Sequence, residues 1–273
     1  MTVHKRTRVR SDDRFVYVLI GTVILTVLLV ASGLWRSLYR AADAVRFRIS
    51  PSAATAFSIA EQHFDAEKRA LYDLDEAQKY FAIASSKDPG MIYVFHELAR
   101  VSFLRGDYAR AFAEITLQIN LHGNETPNSY YVRGLIEGYM GAYAASAADY
   151  EHFLKTDPHN WAAMNDYAWV LLKANRFQDA AVVTTEGLRS FPDNPWLLNS
   201  QAIALYEMNA FSSAYGSETK ASAALGSITE AQWLHAYPGN DPRIAQEGIA
   251  SFKKSVSDNM HMMALAAATS TVQ

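Results

Sequence analysis

The sequence predicts an all-α chain: one membrane-spanning helix, then an α-solenoid of about five helical hairpins with a C-terminal capping helix. Three observations carry that reading. Residues 15–35, FVYVLIGTVILTVLLVASGLW, hold no charged side chain. Further along, a large apolar residue recurs as Leu74, Tyr108, Tyr143, Phe177 and Phe211, at separations of 34, 35, 34 and 34. Pro158 and Pro192 repeat the interval of 34.

Residues 1–14 form a basic tail, with Lys5, Arg6, Arg8, Arg10 and Arg14 against Asp12 and Asp13. The uncharged run that follows, at about 1.5 Å per helical residue, would span roughly 30 Å, the thickness of a hydrocarbon core. Tyr17 and Trp35 stand near its two ends, where amphipathic rings favour the headgroup level. A cleaved signal peptide would have a shorter apolar region, of about 7–15 residues. Five basic residues precede the run, and Arg36, Arg40, Arg46 and Arg48 follow it. Basic residues stay on the cytoplasmic side, which by a narrow margin puts the amino terminus inside. The expected location is the bacterial inner membrane, single-pass, with the repeat domain on the periplasmic side. Residues 36–56 read as a stalk interrupted by Pro51.

Half of the 273 residues are hydrophobic and 19% are charged, which excludes a disordered chain. Beyond the basic tail the chain carries 20 basic and 26 acidic side chains. Nucleic acid is therefore not an expected partner, because binding to phosphates depends on Lys and Arg. The absence of cysteine excludes disulfides, thiolate metal sites and Cys nucleophiles.

The repeat has a packing logic. Gly106, Gly141, Asn175 and Asn209 precede the recurring large residue and tolerate the left-handed backbone that ends a helix. The large residue plugs the angle between two antiparallel helices. Three places later stands a small one, Ala77, Ala111, Ser146, Ala180 or Ala214, which lets the second helix approach closely. Pro89, Pro158 and Pro192 close units, since proline cannot continue a helix but starts the next one well. Arg105-Gly106-Asp107 is on this reading a helix–helix turn and not an adhesion tag, because its sister turns lack the tripeptide.

These residues resemble the tetratricopeptide repeat, over roughly residues 58–226. YYVRGLIEGYMGAYAASAADYEHFLKTDP, from Tyr130 to Pro158, resembles that repeat almost along its full length. The first unit departs from it at Asp65 and Lys68, and the fifth lacks a closing proline, as capping units do. The expected limits are residues 57–226 for the solenoid, 227–257 for C-terminal capping helices and 258–273 for a flexible tail. Asp241 as a cap, Pro242 at the first helical position and a stripe of Ala245, Ile249, Phe252 and Val256 define the capping helix.

The resemblance implies a concave groove lined by the first helix of each hairpin, where peptides lie. Carried over unit by unit, it places His96, Arg100 and Leu104 there, then Tyr131, Leu135 and Tyr139. Asn165, Trp169 and Lys173 follow from the fourth unit, and Asn199, Ile203 and Tyr206 from the fifth. The Lys–Asn–Arg set by which some relatives clamp a terminal carboxylate does not appear in register.

Catalytic signals are weak. HELAR, His96 to Arg100, has Arg100 where a zinc-binding helix needs its second imidazole. Asp73, Asp75 and Glu76 sit at a helix start, where the helix dipole favours negative charge. Met260, His261, Met262 and Met263 hold donors that suit Cu(I). The expected function is a non-enzymatic scaffold or chaperone-like adaptor of the bacterial envelope. A structural subunit of a secretion, pilus or cell-wall assembly and a metal carrier using the His/Met tail are the alternatives. The expected partners are a protein or peptide in the groove and the lipid bilayer through residues 15–35; self-association stays open. No cofactor is expected.

Overall fold

The computed structural model describes residues 16, 18–24, 26, 27, 34–236 and 241–270, and every regular element among them is helical. The expected span includes residues 15, 17, 25 and 28–33, and these lie outside the described residues, as does the basic tail. Among the described residues no helix is long and apolar enough to cross a membrane.

The chain divides into two compact units, Met1–Pro51 and Ser52–Gln273. In the first, α1 (Leu34–Ile49) ends with Arg46 and Arg48 in its last turn, where cations complement the helix dipole. The expected stalk is thus largely helical. In the second unit, Ser52 caps α2 (Ala53–Phe64), its Oγ accepting from the Thr55 N–H at 3.1 Å. The first hairpin therefore starts at Ala53, inside the expected stalk, and Ala56 and Ile59 are already fully buried.

Five hairpins follow one another. They pair α2 with α3 (Leu74–Lys87), α4 (Val94–Leu104) with α5 (Tyr108–His122), and α6 (Asn128–Tyr139) with α7 (Tyr143–Thr156). The last two pair α8 (Trp161–Lys173) with α9 (Phe177–Ser190), and α10 (Pro195–Glu207) with α11 (Phe211–Leu225). Asp73 caps α3 by accepting from the N–H groups of Asp75 and Glu76, as the acidic cluster implied.

The turns repeat as expected. Gly106, Gly141, Asn175 and Asn209 have φ of 78°, 80°, 58° and 62°. The next N–H in each case reaches five residues back: Asp107 to the Ser102 carbonyl at 3.0 Å, Ala142 to Glu137 at 2.9 Å, Arg176 to Leu171 at 2.8 Å, Ala210 to Leu205 at 2.9 Å. Such bonds satisfy carbonyls that a helix end leaves open. Asp107 then caps α5 by accepting from the Arg110 N–H at 3.2 Å, so Arg-Gly-Asp serves this turn. The small residues Ala77, Ala111, Ser146, Ala180 and Ala214 are all wholly buried. Ser146 also donates to the Gly134 carbonyl at 2.6 Å, tying α7 to α6.

Beyond the fifth hairpin lie α12 (Glu230–Ala236), a 3-10 turn (Pro242–Ile244) and α13 (Ala245–Ser270). Asp241 caps the 3-10 turn through the Arg243 N–H at 2.9 Å, with Pro242 at its first position. The flexible tail expected from residue 258 is instead the second half of α13. Its physical cause is burial: the apolar stripe continues past Val256 to Met263, which is wholly buried with Ala202 and Ala214. An alanine-rich run, Ala264 to Ala268, then extends the helix at low intrinsic cost.

The C-terminal segment touches both ends of the hairpin stack. At the last hairpins, Trp233 and Ala245 bury with Trp196, and a Cβ on Gly248 would lie 2.2 Å from the Trp233 ring. Only glycine permits that approach. At the first hairpin, Glu230 pairs with Arg69, and the Arg243 guanidinium sits 5.6 Å from the Tyr72 ring centroid.

Candidate functional site

A cavity of about 700 Å³ lies between the first helices of the later hairpins and α13. Of the residues expected in the groove, Leu104, Leu135, Tyr139, Asn165, Trp169, Asn199 and Ile203 line it. Across from them stand Trp233 of α12 and Gly248, Ser251, Phe252, Ser255 and Asn259 of α13.

One side is aromatic. Tyr139 is 53% exposed, with its ring centroid 5.0 Å from Phe103 and 5.5 Å from Trp169. Gly138 makes room for this arrangement, since a Cβ there would lie 2.8 Å from the Trp169 ring. Trp196 stacks on Phe252 at 5.5 Å and meets Trp161 at 5.1 Å on its other side. Stacked and edge-on rings of this kind present large apolar area at little entropic cost.

The floor is polar, and the repeat interval builds it. The Tyr131 hydroxyl donates to Asp166 Oδ2 at 2.9 Å, and Ser200 Oγ donates to Asn165 Oδ1 at 2.8 Å. Each bond joins residues 35 apart on neighbouring first helices. Asn165 Nδ2 lies 3.4 Å from Asp166 Oδ1, and Asn259 of α13 donates to Asn199 Oδ1 at 3.0 Å. Burial pushes the Asp166 carboxyl up to about 7, against the pull of the Tyr131 and Asn165 donors.

Five expected groove residues stand elsewhere. His96 was expected at the surface or in the groove but is buried, its Nδ1 3.0 Å from Ser129 Oγ. Burial, helped by the Arg100 charge, lowers its pKa to about 3, so the ring stays neutral near pH 7. Arg100 bonds Glu97 Oε2 at 2.7 Å and covers the Phe64 ring at 4.7 Å. Tyr131 lies beneath the groove, stacked on Phe153 at 5.2 Å. Lys173 is exposed outside it, and Tyr206 packs on Phe211 at 5.3 Å. The residues that the sequence missed are Phe103, Asp166, Trp196, Ser200, Trp233 and the whole α13 wall. Asp166 had one available signal, its place beside Asn165 on a first helix; α13 had none, because its docking is not periodic.

Among the described residues no group of three or more His, Asp or Glu side chains converges as a metal site would. The Met260–Met263 donors are divided by α13, with Met263 wholly buried and Met262 40% exposed. That arrangement does not gather them around one ion.

The sequence of residues 139–204 matches the family described as tetratricopeptide repeat. Among solved structures, the protein "YrrB: a TPR protein with an unusual peptide-binding site" is similar, with a TM-score of 0.56 at 12% identity over 71% of this chain and 97% of that one. MamA gives 0.55 at 15% identity over 64% of this chain and 92% of its own. A tetratricopeptide repeat protein from Parabacteroides merdae gives 0.52 at 14% identity over 80% and 88%. No curated protein matches the sequence. Residues 139–204 thus match the tetratricopeptide repeat, and the hairpin stack shares its fold with these solved repeat structures.

Proposed function

We propose that this protein is a non-enzymatic adaptor that holds a protein partner by an extended segment in the groove between its first helices and α13. The observation that carries this is the groove itself: an aromatic side, with Tyr139 exposed and Trp169 half-buried, lining one cavity with the amide and hydroxyl groups of Asn165, Asn199, Ser200 and Asn259. Rings supply contact area, while amides can pair with an extended backbone. The peptide-binding site named for the similar repeat protein YrrB agrees with this use of the fold. Replacing Tyr139 and Trp169 together by alanine is expected to cut capture of partner segments at least tenfold without unfolding the domain. Capture by the double variant at the parent level, with unchanged circular dichroism, would refute the groove.

The adaptor reading includes a membrane tether in the bacterial envelope, with residues 15–35 as the span and the repeats on the periplasmic side. The uncharged length of that run and the five basic residues before it support this. So does α1, which exposes Leu34, Leu38, Val45 and Ile49 on a helix that also carries four arginines. Arginine and apolar side chains on one helix suit the headgroup region. Tethering would raise the effective concentration of the groove towards membrane components. The full chain is expected in the membrane pellet after alkaline carbonate extraction, and a chain lacking residues 1–35 in the supernatant. Recovery of the full chain in the supernatant would sink the tether.

A further inference from the structure

We propose that the groove reads a cationic side chain, an arginine or lysine of the bound segment, which lies against the rings of Tyr139 and Trp169 and pairs with the Asp166 carboxyl. This rests on the peptide-binding reading above and gives that site its specificity. Among the described residues lining the groove, Asp166 is the one with formal charge; no Lys, Arg or His lines it. Among those residues the groove thus holds one carboxyl group and no basic side chain to repel a cation.

A comparison within the same chain shows what is missing at Asp166. Asp149, buried to a similar degree, is held by Arg133 through two bonds of 2.6 and 2.7 Å. A fork-shaped guanidinium is the partner a buried carboxylate ordinarily has. Asp166 is 4% exposed and meets only the neutral Tyr131 hydroxyl and Asn165 amide. Its charge reaches the Tyr139 hydroxyl, whose ionisation burial and then Asp166 disfavour. Carboxyl and ring therefore share one environment. Tyr139 and Trp169, 5.5 Å apart and inclined at 40°, present π faces of the kind that attract a guanidinium or ammonium. An incoming cation would complete the ion pair that the fold leaves open.

The test uses the full chain in detergent and an array of immobilised 15-residue peptides of random sequence, acetylated and amidated at their ends. Bound peptides are expected to be enriched in Arg or Lys. Exchange of that residue for citrulline or acetyl-lysine, which keeps shape and removes charge, is expected to cost at least tenfold in affinity. Asp166→Asn is expected to erase that difference while leaving the weaker, neutral binding in place. Should Asp166→Asn not fold, the citrulline comparison on the parent chain decides alone. Equal binding of arginine and citrulline peptides overturns the proposal, as does a charge preference that survives Asp166→Asn. In either case the adaptor reading stands, provided the Tyr139 and Trp169 double variant loses the peptides. No binding by any peptide removes both.

Discussion

Replacing Trp196 by alanine is expected to lower the unfolding free energy by about 3–5 kcal/mol, the usual range for a buried tryptophan. The residue is 7% exposed and lies between Trp161 and Phe252, with Trp233 and Ala245 in the same cluster. It joins the fourth and fifth hairpins to the C-terminal segment through one ring. Stability in a repeat array is approximately a sum of units and nearest-neighbour interfaces, so the loss should be local. Residues 230–270 are expected to exchange their amide hydrogens well before α2–α9 do. Urea titration by circular dichroism and hydrogen exchange read by mass spectrometry check the two parts. An unchanged urea midpoint would show that α13 is held by something other than the aromatic stack.

Glu218 sets the second large effect, because it is wholly buried on α11 beside Asn259 of α13. Burial raises its carboxyl from 4.5 to about 8, and Asn259 draws it only partway back. Between those values the folded protein holds a proton that the unfolded chain has released. Stability must then fall as pH rises through that window, by up to about 1.4 kcal/mol per pH unit, and level off above the folded value. Asp166 and Glu137, both raised to about 7, act in the same direction. Glu218→Gln removes the cost of ionising a buried acid. The variant is expected to match the parent near pH 5 and to exceed it at pH 9 by up to roughly 4 kcal/mol. Urea midpoints at pH 5, 7 and 9 measure this. Parallel pH profiles for parent and variant would mean that water reaches the carboxylate.

Much of the fold was legible because each hairpin packs mainly on its neighbours in the chain. A contact that recurs every 34 or 35 residues leaves a residue pattern at that interval, which is why Gly106, Gly141, Asn175 and Asn209 could be placed in left-handed turns from letters alone. The groove was legible only in part. Leu104, Leu135 and Tyr139 reach it, but His96 and Tyr131, one or two turns away on the same helices, are buried against neighbouring ones. A first helix contacts others on most of its circumference, and periodicity alone does not say which residues keep an open side.

What the letters determined by themselves was a train of antiparallel hairpins, their turns and the helices that bear the groove. These depend on interactions that are local or one repeat long. Tertiary structure alone decided that α13 forms the opposite wall, that it runs to Ser270, and that Glu230 returns to Arg69 across 161 residues. Such contacts occur once, between surfaces far apart in the chain, and a contact made once leaves no period to read.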